Sequence, residues 1–218
     1  MTRYRWYKLF THYGLNFILG KMKSMPFSIK NKEGFKIDEH NDFRIYAQYL
    51  YIKSFDNDGD TLSIVEIVDF VLLKIENSLF LRVRNPNHGI KQLANLFFDF
   101  CHYQFALEQI EISFSDCESL IEHYKFKSKV TLVKINNLHL TNDIESEMTF
   151  KSKEGVDLSQ FSFLENKFYR RTQITWTIEI DGNNYKLSAL NSGLLNISEY
   201  LTFDVLDYIE LNYLYKHA

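Results

Sequence analysis

The stretch SFDNDGDTLSIVE, Ser54 to Glu66, carries an acidic triplet at every second position and reads either as a calcium loop or as only a turn. Its aspartates, Asp56, Asp58 and Asp60, occupy the first, third and fifth places of a twelve-residue calcium loop. Such a loop needs glycine at its sixth place and a bidentate glutamate at its twelfth. Here those places hold Thr61 and Ile67, and Glu66 arrives one residue early. Positive φ is costly for a β-branched residue. The stretch therefore reads as a turn, and no metal site is assigned to it. After the turn, Ser63-Ile-Val-Glu66 has the spacing of a capping box. Ile64, Val68, Val71, Leu72 and Ile75 then fall on one helical face, which predicts a helix over about 63–77.

Upstream, FRIYAQYLYIKSF (43–55) lacks a helical face and is rich in tyrosine and isoleucine, which predicts a strand. FSIKNKEGFKI (27–37) reads as a short hairpin around Lys-Glu-Gly. Trp6, Leu9, Phe10, Tyr13 and Phe17 recur at helical spacing and predict a helix over 3–20. Downstream, strands are expected at 78–83 and 109–114, with an aromatic helix from Ile90 to Leu107 between them. Helix starts are read at Ser115–Glu118, Asp157–Gln160 and Asn196–Glu199. The second half adds strands at 126–135, 146–152, 171–180 and 185–190, the last two flanking Asp181-Gly182-Asn183-Asn184, a hairpin signal. A helix from Ile197 to about Tyr215 closes the chain.

These elements predict an α+β fold: a mixed, largely antiparallel sheet partly covered by helices, with helices at the N-terminal and C-terminal ends. At 218 residues the chain is read as a single domain over 1–218. A change of character near residue 125 divides an α/β-alternating N-terminal half from a hairpin-rich C-terminal half. Apolar residues are 45% and charged residues 24%, the balance of a globular protein. The basic opening segment has no unbroken apolar core and no small-residue cleavage site, so it does not read as a signal peptide. No stretch is long and uncharged enough to span a membrane. Cys101 and Cys117 fit neither a metal spacing nor a disulfide framework, and a cytoplasmic location is expected.

Two places could carry chemistry. Residues 1–36 hold eight lysines and arginines against one acid, Glu33, a balance of +7. With a total of −3, the rest of the chain sums to −10. In that basic head, Arg3, Arg5 and Lys8 interleave with Tyr4, Trp6 and Tyr7, a pattern that suits nucleic acid. The second place is Arg82-Val-Arg84-Asn85-Pro-Asn-His88, between a strand and a helix start. Free amides and a helix dipole favour an anion there, and arginines add bidentate donors. The seven histidines form no ligand pair with a metal-site spacing, and no P-loop, dinucleotide fingerprint or nucleophile elbow is present. No catalytic residue and no cofactor is assigned.

The leading expectation is a non-catalytic binding protein of the inhibitor or toxin-neutralising immunity type, which works by occupying a protein partner. Asp204, Asp207 and Glu210 on the C-terminal helix, set among aromatic residues, are its candidate partner-binding acids. A nucleic-acid-binding or nucleic-acid-processing protein, using the basic head and the Arg82–His88 turn, is the alternative.

Overall fold

The computed structural model describes residues 1–57, 60–141 and 144–218. Over these described residues it is mixed α+β, with eleven strands and four α-helices, and the strands pair antiparallel. The chain divides into two compact units, one of Tyr4–Ile110 with Leu214–Ala218 and the other of Met1–Arg3 with Glu111–Tyr213.

The first unit contains β1 (Thr2–Thr11, beginning in the other unit), α1 (Leu15–Lys23), β2 (Glu33–His40), β3 (Arg44–Asn57) and β4 (Asp60–Ile75). It continues with β5 (Ser78–Arg84), α2 (Gly89–Phe100) and β6 (Phe105–Ile110). The order is β2-β3-β4-β5-β1, with β6 on the other side of β1 from β5. Alternate residues Ile45, Ala47, Tyr49 and Tyr51 of β3 and Val68, Phe70 and Leu72 of β4 face one core. Ile18 and Met22 of α1 and Leu93 and Phe97 of α2 fill the same core. Gly89 opens α2 under the ring of Tyr51: a Cβ there would lie 2.7 Å from Tyr51 Cε1 and 2.6 Å from Val68 Cγ2.

The predicted helix over 63–77 is a strand. β3 and β4 stay in register from Arg44↔Leu73 to Asn57↔Asp60. Ile64, Val65, Ile67, Val68, Val71 and Ile75 are β-branched, and such side chains favour the extended chain. The segment Val68–Leu73 is apolar enough to mimic a helix because it is buried on both faces apart from Asp69. The turn residues Asp58 and Gly59 lie outside the described residues.

The helix expected over 3–20 is likewise replaced by β1 up to Thr11, and a helix begins only at Leu15, after Gly14. Tyr4 and Trp6 are buried on one face of β1 and Tyr7 and Leu9 on the other. Burial of both faces destroys the period-2 signal that would have marked a strand. The hairpin expected over 27–37 is absent. Instead Phe27 and Phe35 share a backbone hydrogen bond, and Pro26 bridges Phe35. Gly34 lies so close to Phe27 that a Cβ would come within 2.6 Å of its backbone. The aromatic helix ends at Phe100 rather than Leu107, and the next strand ends at Ile110 rather than continuing to 114.

The second unit contains α3 (Phe114–His123), β7 (Lys127–Thr141), β8 (Ile144–Lys151), β9 (Arg170–Ile180), β10 (Asn183–Leu190), β11 (Leu195–Ile197) and α4 (Thr202–Tyr208). Its strand order is β8-β7-β9-β10-β11. Ser113, not Ser115, caps α3 through a reciprocal capping box with Asp116. Asp181 (φ 50°) and Gly182 (φ 76°) make the tight β9–β10 turn, as the dipeptide predicts. The C-terminal helix is present but broken into a 3₁₀ turn at Glu199–Leu201, α4, and a π-helical turn at Ile209–Tyr213. Among the described residues no helix is long and apolar enough to cross a membrane.

Candidate functional site

Pairing of β1 with β5 places the two basic stretches side by side, with Tyr4 opposite Arg84, Arg5 opposite Val83 and Trp6 opposite Arg82. Strand alternation then separates their charges. Arg5 shares the face of Tyr7 and Leu9, whereas Lys8 shares the face of Trp6 and Arg82. Arg5, Lys8 and Arg82 are half-buried, and Arg3 is exposed. Trp6 is fully buried and Tyr4 nearly so, which removes two rings from any stacking platform. Lys8 Nζ donates to the carbonyl of His217 and lies 5.9 Å from the Phe80 ring centroid.

At the β5–α2 junction, Arg84 pairs with Asp69 at 3.5 Å. Asn85 has φ 47°, and His88 is exposed at the helix N-cap without a side-chain capping bond. The Gly89 amide donates to Asn87 Oδ1 at 3.0 Å, while Asn87 Nδ2 donates to the Ile67 carbonyl at 3.1 Å. Asn87 thus already uses an amide that an anion would need.

At the C-terminal helix, Asp204 and Asp207 are half-buried and Glu210 is 3% exposed. Glu210 is therefore not a surface acid, because the π-helical turn carries it inward with Ile209. The Tyr124 hydroxyl donates to the Asp204 carbonyl at 3.2 Å. Burial, with Asp207 and Asp204 nearby, pushes the Tyr124 phenol up from its ordinary value.

The feature that most sets the surface apart is the outer part of the β3–β4 hairpin. β2 pairs with β3 only as far as Tyr51, and β5 pairs with β4 only from Asp69. Beyond those points β3 and β4 form a two-stranded ribbon with no third strand among the described residues. Phe55, Leu62, Ile64 and Val65 on it, and Ile67 at its base, are each 41–55% exposed. Phe55 lies opposite Leu62 and Lys53 opposite Ile64 on one face, whereas Ile52 faces Val65 and Leu50 faces Ile67 on the other. Lys53 Nζ sits 4.8 Å from the Phe55 ring centroid, and the Ser54 and Ser63 hydroxyls are 3.0 Å apart. Burial, then the neighbouring Glu66, raises the Tyr51 phenol at the base of the ribbon.

The helix expected over 63–77 hid this ribbon, although a signal was available. Asp58-Gly59 between two apolar segments is the same hairpin dipeptide that marks Asp181-Gly182. Among the described residues no group of three or more histidine, cysteine, aspartate or glutamate side chains is arranged to hold a metal ion. No family model, no curated protein and no solved structure matches the chain.

Proposed function

We propose that the protein is a non-catalytic binding module that acts by occupying a protein partner, with the outer β3–β4 ribbon as its contact surface. The observation that carries this reading is the exposure of four large apolar side chains, Phe55, Leu62, Ile64 and Val65, on a ribbon with two open edges, with Ile67 exposed at its base. Exposed apolar clusters mark interaction sites more often than solvated surface. An unpaired strand edge also presents backbone donors and acceptors that a partner strand can complete. Each large side chain fully covered by a partner would contribute on the order of 1.5–3 kcal/mol of transfer free energy. Toxin-neutralising or inhibitory action is the form of occupancy the acidic body favours, since 182 residues summing to −10 suit a basic partner.

The test is a photo-crosslinking residue placed at Val65 and activated in native extract. A discrete heterologous adduct is expected, and it should disappear when Ile64→Lys and Ile67→Lys are added without a change in melting temperature. No adduct, or an adduct that survives those substitutions, would reject the ribbon as the contact surface.

A further inference from the structure

The strands of the second unit present two unlike faces. On one face Ile174, Trp176, Ile178, Leu187 and Ala189 are buried. The other face carries hydroxyl and amide side chains beside Leu132, and it floors a depression of about 780 Å³. One row of register crosses all five strands there: Lys151, Leu132, Thr175, Ser188 and Asn196 lie opposite one another in turn. The next row places Lys129 and Lys186 on either side of Thr177. A shift of register between Val130 and Leu132 leaves Thr131 as an extra residue, and its hydroxyl lies 2.9 Å from that of Thr177.

Polar residues on the open face of an antiparallel sheet are ordinary. This face differs in being organised. Thr175 and Ser188 are only 8% and 3% exposed. Ser188 Oγ accepts from both Thr175 Oγ1 and Gln173 Nε2, each at 3.0 Å, which leaves its own proton available to a further acceptor. Among the described residues four lysines, Lys129, Lys151, Lys153 and Lys186, line the depression against a single acid, Glu154. Among the described residues Lys151, Lys153 and Lys186 are in no ion pair, and Lys129 reaches Glu154 only at 4.0 Å, with that carboxylate 94% exposed. Such a pair is worth little against a competing anion. The segment after β8 is held along the rim by Ser152 and Val156, whose amides donate to the Thr131 and Val130 carbonyls.

We infer that this depression is a binding site for a small molecule carrying two or more phosphate groups on a hydroxylated core, such as a sugar or cyclitol. Lysine binds phosphate as a compact, mobile point charge. Lys129 and Lys186 are separated by one intervening strand, so their backbones stand about 10 Å apart, a span that suits two phosphates on one small core. The hydroxyl and amide floor matches polyol hydroxyls, and the volume lies within the range of small-molecule sites. Among the described residues no aromatic side chain lines the depression. Single-stranded nucleic acid depends on stacking for sequence-tolerant affinity, so it is the less suited occupant.

The experiment is calorimetric titration of the full chain at low salt with inositol hexakisphosphate, with tripolyphosphate, and with a twelve-nucleotide RNA. Binding of both phosphate probes is expected, and it should weaken tenfold or more in the Lys129→Gln/Lys186→Gln variant. A Lys36→Gln/Lys91→Gln control, outside the depression, should bind as the parent does. Ser188→Ala should weaken the cyclitol probe several-fold and leave tripolyphosphate unchanged, which separates floor from rim. The lysine pair decides the matter if the serine variant fails to fold. No binding of either phosphate probe at millimolar concentration, an equal loss in the control pair, or tighter binding of the RNA than of the cyclitol would each overturn the assignment.

Discussion

Tyr49 puts a phenol inside the first unit and gives it one partner. Its side chain is 1% exposed, and its hydroxyl donates to Glu33 Oε2 at 2.6 Å across the β2–β3 pair. Burial first, and then that hydrogen bond to Glu33, push the phenol well above its ordinary value of 10.0. A proton held more tightly in the folded state than in the unfolded one stabilises the fold below the ordinary value. That contribution is lost as pH rises through 10 and beyond. A hydrogen bond to a charged acceptor is worth about 1.5–3 kcal/mol. Tyr49→Phe should therefore lower stability by about that amount at pH 8, and it should flatten the decline above pH 10. Urea denaturation at a series of pH values reads both effects. A parent-like slope above pH 10 in the variant would show that other phenols, Tyr51 among them, carry the alkaline loss.

At the scale of elements, α3 shows how a short helix is started. Ser113 Oγ accepts from the Asp116 amide at 3.2 Å, and Asp116 Oδ2 accepts from the Ser113 amide at 2.8 Å. Removing a cap of this type costs about 1 kcal/mol. Ser113→Ala should thus lower the stability of the second unit by about 1 kcal/mol, whereas Ser115→Ala, one position inside the helix, should cost less. Chemical denaturation of the two variants in parallel decides between the observed start and the one read from Ser115–Glu118. The β3–β4 ribbon is the opposite case, a long element sustained by its own pairing at one end and by the sheet at the other. If it is the contact surface proposed above, substituting its exposed aliphatics should alter binding far more than folding.

Over the whole molecule, the two cysteines serve as reporters placed one in each unit. Cys101 ends α2 and Cys117 lies in α3, and both are fully buried free thiols. Burial, with Asp116 and Glu118 beside it, also pushes the Cys117 thiol up, which suppresses the reactive thiolate. Neither should react with a maleimide in the native state, and each should label when its own unit opens. Pulse labelling along a urea gradient, read by peptide mass spectrometry, follows the two units separately. Rapid native labelling of Cys117 would contradict its placement in the core.

What the sequence determined by itself was mostly local. Asp181-Gly182 marks its hairpin because two residues of positive φ are needed there, and that demand is met by the dipeptide alone. The strand at 43–55 and the strands of the second half follow from β-branched and aromatic content, and the α+β class follows from their mixture with helices. Tertiary structure decided the rest. β1 and the inner part of β4 are buried on both faces, so period-2 alternation vanished and helical spacing arose by coincidence. The basic head was legible as charge, but only strand pairing showed that Arg5 and Lys8 point to opposite faces and that Trp6 is enclosed. Glu210 looked like a surface acid until the π-helical turn carried it inward. The lysine-rimmed depression gathers residues from β7, β8, β9, β10 and β11, and no local window of sequence contains the row that joins Lys151 to Asn196. Register between strands distant in sequence is set by long-range packing, and only the folded chain displays it.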